Sequence, residues 1–321
     1  MNVASTVAVL ERHQVWLYLL ALVVGAGAGL TDPALTGPAE ALVNPLLGLL
    51  LYATFLAVPF RRLGSALRDG RFLLTVAVVD FVFVPLVVWL ITRPLAGDDP
   101  VDRALLVGVL FVLLAPCVDY VIVFTGLAGG AADRLLAATP LLMLAQIVLL
   151  PVWLRLFAGA EVVRSVDPAP FVSAFFWLIV VPLVAAAVTQ QLGGVGRRVS
   201  HGMGVAMVPL MMAVLAVVVA SQIDRVTGQW SDLVRVVPVY VVFAVVMGVV
   251  GLVAGRLAGL DVPGVRAVMF TGVTRNALVI LPVVLALPAA YRLAPAVVVT
   301  QTLVELLVMV VMVTVVPKLV R

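Results

Sequence analysis

Apolar runs alternate with short polar breaks along the whole chain, and the runs recur near the length of about 20 residues that a helix needs to cross hydrocarbon. They predict spans at 14–30, 41–60, 72–93, 103–127, 134–157, 170–191, 203–221, 236–255, 265–287 and 295–316. No long linker or low-complexity segment separates them. The first run, with Gly25, Gly27 and Gly29, also has the look of a signal peptide, but its removal would leave nine spans and spoil the pairing described below.

Composition supports one membrane domain. The 321 residues are 64% hydrophobic and 11% charged, with a mean hydropathy of +1.26. Soluble domains run at about 45–50% apolar and about 25% charged, so an aqueous fold of this chain would expose apolar surface nearly everywhere. The expected class is all-α integral membrane. The net charge of +4 fits basic cytoplasmic loops better than a nucleic-acid partner. The single cysteine excludes an internal disulfide framework.

Charge in the breaks sets an orientation. Arg61, Arg62, Arg68 and Arg71 follow the second run, and Arg197, Arg198 and His201 follow the sixth. Arg256 and Arg266 flank the break after the eighth, and Lys318 and Arg321 close the chain. The alternate breaks are acidic or mixed: Asp32 and Glu40; Asp98, Asp99 and Asp102; Glu161, Arg164 and Asp167. The positive-inside rule then puts both termini in the cytoplasm of a protein of the inner (plasma) membrane, and ten spans satisfy that.

Ten spans divide into two halves, 1–158 and 159–321. An odd number per half forces homologous halves to insert in opposite senses, which is the inverted-repeat plan of many secondary transporters. A faint trace is present. Ala131-Ala132-Asp133-Arg134-Leu135 recurs 158 residues later as Ala289-Ala290-Tyr291-Arg292-Leu293, between the fourth and fifth span of each half. The fourth span of each half is also the most interrupted. One reads Ala115-Pro116-Cys117-Val118-Asp119-Tyr120, the other Thr271-Gly272-Val273-Thr274-Arg275-Asn276-Ala277 and then Pro282. At the same offset Cys117 corresponds to Arg275, and Asp119 to Ala277 beside Asn276. Paired polar interruptions predict broken helices around a midplane site, where unwound backbone lines a cavity rather than lipid.

Ala115-Pro116-Cys117, Thr274-Arg275-Asn276-Ala277 and Thr300-Gln301-Thr302-Leu303-Val304-Glu305 carry a resemblance. The chain resembles the bile acid:sodium symporter superfamily over nearly its whole length, and within it the arsenical-resistance (arsenite efflux) branch. The resemblance implies ten helices in two inverted five-helix repeats, with the fourth and ninth broken and crossing. It implies a core of spans two to five and seven to ten, with a panel supplied by spans one, six and seven. It also implies a span-four cysteine and a span-ten acid essential for trivalent arsenic efflux, matched in position and type by Cys117 and Glu305. Two departures stand out. Sodium-coupled members place acidic and glutamine cation ligands one turn apart in span nine, where this chain has Arg275 and Asn276, and Asp119 and Tyr120 are unusual for the arsenite branch.

The candidate residues each admit two readings. Cys117 is a soft ligand suited to transient capture of trivalent arsenic, or a small buried hydrophobe; no other metal site is expected. Asp119 and Arg275 are expected to approach each other, either as a static ion pair or as proton-exchanging acid and substrate contact, because an isolated charge in hydrocarbon costs roughly 2.5–3.5 kcal/mol. Glu305 has Gln301 one turn before it on the same face. Out of water its neutral form is favoured, which suits a proton carrier; the other reading is a polar contact with Gln146 of span five. Asp80 in span three reads as a partner for a neighbouring helix. His13 and His201 read as interfacial, as do most of Trp16, Trp89, Trp153, Trp177 and Trp230.

Enzyme classes find no support: the chain has no Walker loop, no His-Glu-x-x-His helix and no Gly-x-Ser-x-Gly elbow. No cofactor is expected. The leading expectation is a secondary transporter exporting arsenite or a related metalloid against protons. Cys117, Asp119, Arg275 and Asn276 would be at the substrate, Glu305 and Asp119 on proton coupling, and Pro116, Thr274, Gln301 and Gln146 in support. The alternative is a cation-coupled symporter of a small organic anion, bile-acid-like or a keto acid, anchored by Arg275. A channel and a receptor that binds without transport are the remaining classes.

Overall fold

A computed structural model describes residues 3–56, 68–97, 99–118, 120–160, 162, 173 and 176–321. Among these the chain forms helices and no strand. In order they are α1 (Val3–Thr31), α2 (Thr36–Leu56), α3 (Gly70–Ile91), α4 (Pro100–Leu113), α5 (Tyr120–Leu127), α6 (Ala132–Phe157), α7 (Val181–Gln191), α8 (Gly194–Thr227), α9 (Val237–Leu257), α10 (Val262–Val273), α11 (Ala277–Leu285) and α12 (Ala294–Leu319).

Among the described residues six helical stretches are long and apolar enough to cross a membrane: Thr36–Leu56, Gly70–Ile91, Ala132–Phe157, Gly194–Ser221, Trp230–Leu257 and Ala289–Leu319. They fall on the second, third, fifth, seventh, eighth and tenth predicted runs. The first run lies in α1, whose apolar part, Trp16–Thr31, is shorter. The fourth is divided between α4 and α5, and the ninth between α10 and α11. Of the sixth, 173 and 176–191 are described. Exposed apolar side chains form stripes four residues apart, Val241, Val245, Val249 and Val253 on α9 and Leu307, Val311 and Val315 on α12. Such stripes face the hydrocarbon of a bilayer without penalty.

The chain packs into two compact units, one of Met1–Phe60 with Val172–Gly228, the other of Arg61–Phe171 with Gln229–Arg321. In the first, α1 packs along α8. A Cβ on Gly25 would meet the backbone of Ala216, 2.8 Å from its Cα, and one on Gly29 would lie 2.6 Å from the Ile223 side chain. Two glycines one turn apart against Ala216 and Ala220 are the small-residue packing that lets membrane helices approach closely. Gly25 and Gly29 of the glycine series therefore make a helix contact. Gln190 of α7 donates to the Leu56 carbonyl at 3.2 Å, and Thr189 shares a 2.9 Å hydrogen bond with Tyr52 of α2.

Two expectations change here. Arg197, Arg198 and His201 lie in the first turns of α8 rather than in a loop, because the chain turns at Gly193, whose φ of 58° suits glycine. The second run, expected in the core, packs as α2 with α1 and α8 in the first unit.

The second unit holds the interrupted helices. α4 and α10 begin alike: Asp99 and Asp261 cap the first turns by accepting from Val101 N–H and Gly264 N–H, with proline at N1 or N2 in each. Gly251 and Gly255 of α9 draw α10 in, with Cβ positions 2.8 Å from Met269 Cα and 3.1 Å from Val265 Cα. The middle of α3 widens into a π turn, Val79–Phe83, just before Pro85. Pro85 has no N–H to continue the α ladder, and Val84 N–H reaches back five residues to Val79. That turn carries Asp80. Of the two Ala-Ala-x-Arg-Leu copies, the first opens α6 and the second lies just before α12.

Candidate functional site

The interruptions at 114–118 and 274–276 meet. Pro116 and Arg275 form an antiparallel backbone bridge. Asn276 N–H donates to the Ala115 carbonyl at 2.8 Å, and Cys117 N–H to the Thr274 carbonyl at 3.4 Å. Each break thereby satisfies backbone groups that the helices leave open and that lipid could not satisfy. Thr274 returns its hydroxyl to the Phe270 carbonyl at 2.6 Å, closing the end of α10. Asn276 opens α11 by accepting from Val279 N–H at 3.3 Å.

Arg275 is the largest fully buried side chain. Its Nη2 donates to Asp80 Oδ1 and to the Gly272 carbonyl, both at 2.8 Å, and to the Thr271 carbonyl. Nη1 makes a longer contact, 3.5 Å, with the Leu113 carbonyl. The guanidinium thus closes the C-terminal ends of α10 and α4, where the helix dipoles leave negative charge. Its carbon sits 5.5 Å from the centre of the Phe243 ring. Asp80, also fully buried, takes the Thr271 hydroxyl on Oδ2 at 3.0 Å.

Glu305 reaches the same break from α12. Its Oε2 accepts from Arg275 N–H at 2.7 Å and from Gln301 Nε2. A cavity of about 10 Å³, near the least volume that holds a water, lies against Gln301, Glu305, Leu113, Tyr240 and Phe243. Gln301 Oε1 and Asn276 Nδ2 are buried with no hydrogen-bond partner among the described residues. Such groups cost about 1–3 kcal/mol each unless water or a ligand reaches them.

Residues 44–194 match the model of the Sodium Bile acid symporter family. The matched segment starts within α2 and ends at the first residue of α8, so it takes in Asp80, Pro116 and Cys117 and stops short of Arg275, Asn276 and Glu305. The family is one of transporters rather than enzymes, and with six apolar helices the chain is a multi-pass membrane protein. No curated protein matches the chain.

The structure brings together Pro116, Thr274, Arg275, Asn276, Gln301 and Glu305, with Cys117 buried in the same bridge. Asp119, expected opposite Arg275, lies outside the described residues. Among the described residues Arg275 pairs with the carboxylate of Asp80. Gln146 is buried on α6, and its Oε1 has no hydrogen-bond partner among the described residues; the hydrogen bonds on Glu305 described above come from Gln301 and the Arg275 backbone. Sequence reading had Asp80 pairing with a neighbouring helix but did not connect it to Arg275. The signal available was an intramembrane acid five residues before a proline.

Proposed function

We propose that the chain is a proton-coupled secondary transporter that exports arsenite or a related metalloid by alternating access. On this reading ten spans form two inverted repeats, 1–158 and 159–321, with the broken fourth and ninth spans crossing, and both termini face the cytoplasm of the plasma membrane. The observation that carries it is the bridge between the two breaks, with the Glu305 carboxylate hydrogen-bonded to the Arg275 N–H. A carboxylate holding the bent backbone gives proton binding a direct mechanical consequence. Protonation removes charge from the acceptor of two N–H groups and weakens both bonds. The break then loosens, and the two half-helix pairs can re-form in another arrangement.

Cys117, one residue from the bridge, supplies the thiol. Arsenous acid would exchange one hydroxyl for the sulfur: the As–O bond breaks, the As–S bond forms, and the thiol proton leaves with the hydroxyl as water. A single sulfur keeps that capture reversible. Asn276 Nδ2 and Gln301 Oε1 offer an unused donor and acceptor for the remaining hydroxyls. The organic-anion alternative needs Arg275 as an anchor, but its Nη groups already face Asp80 and three backbone carbonyls.

The test is flux of radiolabelled arsenite into inside-out vesicles, with and without a pH gradient. The wild type should respond to the gradient. Cys117→Ser should lose most of the flux, and Glu305→Gln should lose the response. Equal flux in Cys117→Ser would remove the thiol from the mechanism, and indifference of the wild type to pH would remove the proton.

A further inference from the structure

The surroundings of Arg275 are those of a bound cation. Oxygens converge on its guanidinium from Asp80, Thr271, Gly272 and, at longer range, Leu113. Three are backbone carbonyls at the ends of two half-helices, where dipoles add negative potential, and the fourth is a buried carboxylate. In transporters built from discontinuous helices, unwound carbonyls and half-helix C-terminal ends are where coupling cations are held. Asp80 and Arg275 are both fully buried, so the cage requires a positive charge to be stable at all.

We propose that Arg275 is a built-in cation: its guanidinium permanently fills a cage that would otherwise bind a monovalent metal ion. The protein therefore neither requires nor responds to sodium or potassium, and deleting the side chain uncovers a cation site. This rests on the transporter part of the reading above and is independent of substrate and of Glu305.

The experiment measures melting of the purified full chain in lipid nanodiscs, with sodium, potassium or choline chloride at equal ionic strength and with added guanidinium chloride in the low millimolar range. The wild type should melt at one temperature in all three salts. Arg275→Ala should melt lower in choline and rise by roughly 2 °C with guanidinium or sodium at about ten times its dissociation constant. Adding Asp80→Asn to Arg275→Ala should abolish that rise. A sodium- or potassium-specific rise in the wild type would overturn the proposal. So would an Arg275→Ala protein that responds to no cation, or a double variant that keeps the response. If Arg275→Ala does not fold, Arg275→Lys decides together with the wild type. It keeps the charge and should be indifferent to sodium, and a sodium response there would refute the built-in cation. Melting involves no transport, so failure here and failure of arsenite flux are read separately.

Discussion

Asp80→Asn tests the frame on which the site rests. The substitution is nearly isosteric but removes the charge facing Arg275. It also replaces one of two acceptor oxygens with a donor, beside either Arg275 Nη2 at 2.8 Å or the Thr271 hydroxyl at 3.0 Å. Both partners are fully buried, so water cannot take over. Removing one member of a buried ion pair costs about 3–5 kcal/mol, because the other charge is left uncompensated. The carbonyls of Thr271 and Gly272 still serve the guanidinium, which places the expected loss near the lower end, about 3 kcal/mol. At about 1.5 °C per kcal/mol for 321 residues, the melting temperature should fall by roughly 4–5 °C. Arg275→Gln alone should cost at least as much, since it strands a carboxylate with only the Thr271 hydroxyl. The double variant should lose less than the sum of the two. The assay is thermal unfolding in nanodiscs for the four members of the cycle. An Asp80→Asn protein that melts within 2 °C of the wild type, or strictly additive losses, would refute the ion pair.

Gly25→Leu should destabilise the contact between α1 and α8 by about 1–3 kcal/mol, read as lowered melting, because its Cβ runs into the Ala216 backbone; Gly27→Leu, with open space at its Cβ, should change little. Asp261 accepts both fork hydrogen bonds of Arg134 at 2.8 Å, and those bonds hold its carboxyl below the usual carboxylate range. Its folded pKa is thus lower than its unfolded one. The contribution to stability is fully present above the unfolded value, about 3.9, and is lost as pH falls through the folded value. Melting followed from pH 6 to pH 3 should show a smaller acid loss in Asp261→Asn than in the wild type. Tyr240→Phe removes the hydroxyl donated to the Val297 carbonyl at 3.0 Å on α12 and should lower stability by about 1 kcal/mol, again read by melting.

Two kinds of information separated cleanly along this chain. Periodic apolar runs located the long helices, because a bilayer imposes one length and one polarity on any segment that spans it. The 158-residue offset then set Cys117 against Arg275, one residue from the bridge that joins Pro116 to Arg275. Both breaks interrupt apolar runs with polar residues, and the structure has them touch. What the offset could not reveal was the partner of a charge. Asp119, set near Arg275 by the offset, lies outside the described residues; among those described, a carboxylate on Arg275 comes from α3, a helix outside both interruptions. Residues 195 positions apart meet through the packing of α3 and α10, and nothing local to either announces it.

The position of Asp80 has a local cause with a distant consequence. Pro85 sets the π turn, and the π turn adds one residue to that stretch of α3, which re-aims the side chains within it. Asp80 is in that turn, directed at the Thr271 hydroxyl and the Arg275 guanidinium. Replacing Pro85 with alanine restores the N–H that a regular α ladder uses. If the π turn holds Asp80 in place, Pro85→Ala should let α3 relax toward a regular helix and swing the carboxylate away from Arg275. The expected result is counter-intuitive for a membrane helix: removing a proline destabilises, and Asp80→Asn costs less in the Pro85→Ala background than in the wild type. Melting of the single and double variants reads this coupling. An unchanged cost of Asp80→Asn in the alanine background would mean that tertiary packing, not the proline, aims the acid.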